Sequence, residues 1–246
     1  MSDEITESAK ATQEIAKTTG KAIEAAEKMG SFISRIIGEP LDAISGMVTD
    51  RLRFMRWERQ TRFVDRYWEI INRRQLAVLP GVAPPKLVLP IIEHASLEEN
   101  NELQDLWANL LASIVDPKFS EKIRTAYIDI LKELEVIDVH VLNFIYKQAS
   151  LYAPSTISTP MDYPVLRITI ASELQIDPIA YETSIDNLIR VRCTASFVEA
   201  KNIKTSTYDH NEYYENVTTD HRYDVVCLTS LGLGFVEACI SNVDEG

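Results

Sequence analysis

"VLPIIEHASLEENNELQDLWANLLASIVDP", residues 88–117, is the stretch on which the fold turns. It opens on an apolar run broken by Pro90, crosses an acidic patch, and then becomes strongly periodic. Leu103, Leu106, Trp107, Leu110, Leu111 and Ile114 recur at steps of three and four, which places them on one face of a helix. Asp116-Pro117 stops that helix, because the residue before a proline avoids helical angles. Ser96 and Glu99 stand three apart, the spacing of a capping box, so the helix is expected to start there. The same patch offers an active-site reading, with Glu93, His94, Glu98, Glu99, Glu102 and Asp105 close in sequence. Carboxylates in the first turns of a helix face the positive end of its dipole, so a helix start accounts for them without catalysis.

Upstream, "LPGVAPPKLVLP" (79–90) holds four prolines and a glycine and is expected to be an extended connector. Before it, "LDAISGMVTDRLRFMRWERQTRFVDRYWEIINRR" (41–74) reads as one long helix after Gly38 and Pro40, weakened at Gly46. Between Arg51 and Arg74 there are eight arginines against three acids, a local +5 in a chain of net charge −12. One reading is a basic surface of Arg51, Arg56, Arg59, Arg62, Arg66 and Arg73 for lipid or nucleic-acid phosphate, with Trp57, Tyr67 and Trp68 interleaved. The favoured reading is a helix with i, i+4 pairs from Glu58 to Arg62 and Glu69 to Arg73, docked on the acidic remainder of the chain.

Residues 1–38 contain no proline and predict a long amphipathic helix. Ile15, Ala16, Thr19, Ala22, Ile23, Ala26, Met29, Ile33, Ile36 and Ile37 make its stripe, and small residues there allow close helix pairing or self-association. Lys10, Lys17, Lys21, Lys28 and Arg35 on the other face also suit a membrane surface. The candidate contact residues are Ile15, Ala22, Ile23, Ala26, Ile33 and Ile37.

Downstream of residue 117, Phe119, Ile123, Tyr127, Ile130, Leu131 and Leu134 predict one helix. Asp138 then caps another that carries Val141, Leu142, Ile145 and Tyr146. The composition changes after Ala149: "LYAPSTISTPMDYP" reads as a linker. Beyond it come a short strand (Val165 to Ile170), a short helix (Ala171 to Leu174), and a helix capped by Asp177 with Pro178 in its first turn. Two β-like runs follow, Cys193 to Ile203 and Tyr223 to Leu228, flanking a long polar tip, and a last helix starts at Thr229 or Ser230. Helix, turn, helix, two-stranded wing and closing helix is the winged-helix order. Glu182 and Asp186 oppose Arg190 and Arg192 on its recognition helix, which weakens a DNA-binding reading.

The expected fold is mainly α: a long amphipathic helix (1–38), a helical domain (39–150), a linker (151–163) and a small α+β winged-helix-like domain (164–246). At 46% hydrophobic residues the chain can fill a core. Three widely spaced cysteines suit reduced thiols. No basic, apolar leader opens the sequence and no run of about 18 apolar residues occurs, so a cytoplasmic protein with an optional membrane-surface contact is expected. His210, Glu212, Asp220 and His221 match no compact metal-ligand pattern. No metal, cofactor or catalytic motif is predicted.

The central stretch followed by "YIDILKELEVIDVHVLNFI" resembles the abortive-infection alpha family of bacterial proteins. The resemblance is carried by Pro90, Ile91, Ile92, Ser96, Leu97, Leu106, Trp107, Ala108, Asn109, Leu110, Leu111, Asp116 and Pro117, then Leu134 and Asp138, over roughly residues 40–240 with the core at about 86–150. It implies a part in defence against phage, in which an infected cell stops growing or dies before the phage matures, and it brings no catalytic residues. The expectation is a non-enzymatic protein that works as a homo-oligomer or on a protein partner or membrane. The alternative is a nucleic-acid-binding regulator or effector.

Overall fold

Asn100, not Ser96, starts the central helix. The backbone is extended at Glu98 (ψ 126°) and at Asn100 (ψ 127°), and the Asn100 side chain accepts the N–H groups of Glu102 (2.8 Å) and Leu103 (3.2 Å). Ser96 lies inside the preceding helix, its hydroxyl donating to the Ile92 carbonyl at 2.7 Å. Asn outcompetes Ser here because Glu98 and Asn100, rather than Ser96, take the extended backbone a cap requires.

A computed structural model describes residues 2–38, 57–77, 83–152, 162–209 and 212–240. Its helices are α1 (Ser2–Ile37), α2 (Trp57–Arg73), α3 (Pro85–Leu97), α4 (Asn101–Val115), α5 (Thr125–Lys132), α6 (Val136–Tyr152), α7 (Arg167–Leu174), α8 (Pro178–Arg190) and α9 (Ser230–Cys239). Its strands are β1 (Val165–Leu166), β2 (Thr194–Asp209) and β3 (Glu212–Leu228). The chain is thus mainly α, with one small antiparallel sheet near its C-terminus. It divides into two compact units between Lys132 and Glu133.

In the first unit α4 is central. The sequence predicts an apolar stripe, yet every residue from Leu103 to Val115 except Asp105 is buried. A helix covered on nearly all sides needs neighbours around it, and α2, α3 and α5 supply them. The expected connector is largely α3: Pro85 occupies its first turn, where a missing N–H costs nothing, and Pro90 lies inside it. Leu87, Val88, Ile91, Ile92 and Ala95 of α3 are all buried. At about 1.5–3 kcal/mol for each large apolar side chain removed from water, this face offsets what Pro90 costs.

Two further expectations change. Residues 117–122 form turns, and Phe119 is only half-buried, so the predicted long helix shortens to α5. The helix expected over 41–74 is described only from Trp57; Gly46, Arg51 and Arg56 lie outside the described residues.

In the second unit α6 packs on α8, so this helix belongs with the C-terminal residues and not, as expected, with the helical domain before residue 150. Asp138 works from the third helical position: its carboxylate accepts the Glu135 N–H at 2.9 Å and the Asn187 side-chain N–H at 2.7 Å. The predicted strand over 165–170 is two residues long, and the chain turns into α7 at Arg167. Asp177 and Thr229 cap α8 and α9. The sheet order is β1-β3-β2.

The polar tip expected after Ile203 is instead strand. β2 and β3 pair out to Asp209 opposite Glu212, with no third strand beside that stretch among the described residues and a one-residue irregularity after Lys201. Thr, Tyr and Val within that polar segment are strand formers, and composition alone hides them.

Gly232 is where α9 meets the sheet. A Cβ there would stand 1.9 Å from the Cys193 carbonyl oxygen, so only glycine lets the first turn of α9 approach that backbone. The Cys193 carbonyl in turn accepts the Thr229 N–H at 3.0 Å.

Candidate interaction surfaces

The arginine helix is largely engaged within its own unit. Arg59 donates to the Leu97 carbonyl (3.0 Å) and pairs with Glu99 (2.6 Å). Arg62 donates to the Gln104 side chain, to the Asn101 carbonyl (3.2 Å) and to Asp105 (3.0 Å). Arg66 Nε stands 3.2 Å from the other Asp105 oxygen, an ion pair outside hydrogen-bond geometry, while its Nη1 bonds Glu69 at 2.9 Å. One carboxylate therefore holds two guanidinium groups, and the expected i, i+4 lacing by Glu58 and Glu69 is replaced by contacts from α2 to α4.

Further along, Arg74 bonds the buried Asn109 (2.8 Å) and the buried Ser113 (3.0 Å). Asn109 also donates to the Asp105 carbonyl at 3.0 Å. Asn109 was expected as part of the family core; its partner Arg74 and the buried Gln104, which donates to the Ala95 carbonyl at 2.9 Å, were not singled out. The signal was present in retrospect: a polar residue inside an apolar stripe needs a partner, and the nearest surplus of donors is the arginine helix.

The groove beside these arginines is not basic. It measures about 600 Å³, and its lining sets Arg62 and Arg66 against Glu58, Asp65, Glu69 and Asp105. Arg73 is exposed at the end of α2. Of the expected basic surface, then, Arg59, Arg62 and Arg66 are brought together but neutralised.

His94 is stacked on Trp107, ring centres 5.6 Å apart and planes 21° apart. Burial first, then the Lys132 charge, lowers the His94 pKa below its ordinary 6.5. Leu106, Trp107 and Leu110 are buried core, and Pro117 is exposed beyond the Asp116 cap.

The α1 stripe falls into two parts. Ala25, Met29, Phe32, Ile33, Ile36 and Ile37 are buried, with Phe32 edge-on to Phe63 (6.2 Å), Tyr67 (5.1 Å) and Trp68 (6.1 Å) of α2. Arg35 lies over the Trp68 ring at 4.7 Å and Lys28 pairs with Asp65 at 2.6 Å. Ile33 and Ile37 are thus occupied inside the unit, whereas Ile23 is 57% exposed and Ala26 is exposed too. The side chains of Ile15 and Ala22 lie outside the described ones.

Among the described residues no helix is long and apolar enough to cross a membrane. Cys193, Cys227 and Cys239 are buried thiols outside any disulfide among the described residues, and burial pushes the Cys193 thiol up to about 12. A thiol held protonated in this way is a poor nucleophile. The side chains of His210, Glu212, Asp220 and His221 fall outside the described ones.

The family model for abortive infection alpha matches residues 59–239, from the first of the docked arginines to the last residue of α9. The chain belongs to the abortive infection alpha family. That membership gives it a role in abortive infection, the defence of a bacterium against phage. The match takes in residues of both units. No curated protein and no solved structure matches this member of the family.

Proposed function

We propose that this protein defends the cell without catalysis, by self-association or partner contact through the outward part of α1. The observation that supports this is the exposure of the described α1 side chains that precede Ala25. Among the described side chains of α1, the buried ones fall between Ala25 and Ile37. Lys17, Gly20, Lys21, Ile23 and Glu24 are all exposed. An exposed isoleucine on a face shared in sequence with Ile15 and the small Ala22 and Ala26 is the pattern of a helix that pairs again. The winged-helix-like order of the second unit fits a contact or dimerisation module in the same scheme.

The test is the mass in solution of the full chain and of an Ile15→Asp, Ile23→Asp double variant, alongside phage challenge of cells carrying each. Loss of protection in the variant supports the reading, with a lost assembly assigning it to self-association and a monomeric parent to partner contact; a variant that still protects overturns it. Flotation with anionic vesicles separates a membrane contact from a protein one. The alternative, a nucleic-acid-binding regulator or effector, would use the arginine-rich helix or the winged-helix-like domain; Arg59, Arg62 and Arg66 of that helix already have acidic partners. It requires a salt-dependent shift of DNA or RNA by the full chain.

A further inference from the structure

β1 accompanies β3 for two residues only: Val165 stands opposite Val226 and Leu166 opposite Val225. Had it continued, Arg167, Ile168 and Thr169 would have faced Asp224, Tyr223 and Arg222. The chain instead leaves into α7 at Arg167, so among the described residues no strand lies beside that edge of β3, while β2 covers the other edge throughout. Alternate residues of a strand direct their N–H and C=O away from the neighbour on one side, so an open edge presents unpaired ladder groups.

A groove of about 580 Å³ runs along this edge, its far wall made by α7 and the start of α8. Its apolar surface is exposed: Ile168 is 79% accessible, Leu166 38% and Tyr223 36%. Its charges are unequal in their freedom. Arg167 is held by Glu182 and reaches the Ser196 hydroxyl at 3.4 Å, whereas Arg222 is exposed and has no ion pair among the described residues. Behind them Tyr181, 2% accessible, lines the groove beside Arg167.

We propose that this groove takes an extended peptide segment of a partner protein, added as a strand on the β3 edge at Arg222–Asp224, with an apolar side chain over Leu166 and Ile168 and an acidic one at Arg222. Main-chain pairing supplies the affinity in such strand addition, and side-chain positions two apart supply the specificity. Arg222 and, two residues on, Asp224 are both exposed in the groove wall without an ion pair among the described residues, so an acidic side chain is favoured at Arg222 and disfavoured at Asp224. This inference is independent of the α1 reading, because it uses residues of the second unit only.

The experiment uses the full chain and an array of alternating octapeptides that carry every residue type at two positions on one face. Selected peptides should combine an aliphatic with an acidic residue, and N-methylation of alternate backbone amides should weaken the best of them by about tenfold or more, because methylation removes ladder donors. Arg222→Gln should weaken the acidic peptide about tenfold and leave its glutamine analogue within about twofold. Ile168→Ser should weaken both; Ile168 and Arg222 are exposed, so neither change threatens folding. No peptide bound at about 1 mM, equal binding of the methylated peptide, or indifference to Arg222→Gln overturns the proposal. A small acid such as 3-phenylpropionate binding as tightly as the peptides would also overturn it, since the edge would then play no part.

Discussion

Asp105 shows how few atoms can fix the arginine helix. Its two oxygens face Arg62 and Arg66, and both guanidinium groups are mostly shielded, with side chains 35% and 28% accessible. Asp105→Asn keeps the volume and removes the charge, leaving two shielded cations without their carboxylate; denaturant unfolding should show a loss of about 1–3 kcal/mol. Glu99, 80% accessible in its pair with Arg59, gives the contrast, and Glu99→Gln should change stability by less than about 0.5 kcal/mol. Gly232→Ala meets backbone rather than a yielding side chain, at 1.9 Å from the Cys193 oxygen, and should cost more than about 2 kcal/mol by the same measurement. His94 sets a pH dependence of known sign. Its folded pKa lies below the unfolded 6.5, so the unfolded chain binds the proton more readily. The stabilising term is complete above pH 6.5 and is lost as pH falls from there through the folded pKa. Proton NMR of the ring should titrate below 6.5, and His94→Gln should flatten the fall in melting temperature on the acid side; a titration at or above 6.5 would contradict the stacked, shielded ring.

Among the elements, α4 and α8 were the most legible, because each combines an apolar period with a stop or start that has one physical reading: Asp116-Pro117 for one, Asp177-Pro178 for the other. The start of α4 was not. Ser96, Asn100 and Asn101 all have caps' chemistry, and the choice depends on where α3 ends, which the prolines of 79–90 conceal. The distinction is measurable. Asn100→Ala should cost about 1 kcal/mol by leaving the Glu102 and Leu103 N–H groups without their acceptor. Ser96→Ala should cost less than about 0.5 kcal/mol, because the Ile92 carbonyl that accepts its hydroxyl stays inside a continuous helix. Equal losses from the two changes would restore Ser96 as the cap. The hairpin was hidden for a different reason: strands with polar residues on both faces carry no period-two signal, so the pairing from Lys204–Val217 to Asp209–Glu212 could not be read from hydropathy.

At the scale of the molecule, the charge asymmetry was legible and its use partly so: a +5 segment in a chain of net charge −12 finds acids within its own unit, at Glu99 and Asp105. The unit boundary was not legible, because the visible change of composition at Ala149 marks the end of α6 and not the edge of a core. Val141, Leu142 and Ile145 of α6 are fully buried, and the elements they accompany in the second unit are α8 and the sheet, whose Ile185, Leu188, Val225 and Val226 are buried as well. Removing α6 takes three large apolar side chains from that core, each worth about 1.5–3 kcal/mol, a sum comparable with the whole stability of a domain this size. A fragment of residues 133–241 should therefore unfold in one cooperative transition, with mixed helix and strand circular dichroism and dispersed amide resonances. A fragment of residues 151–246, cut where the composition changes, should lack both the transition and the dispersion. Cooperative folding of the shorter fragment would place α6 outside the core and return the boundary to the linker.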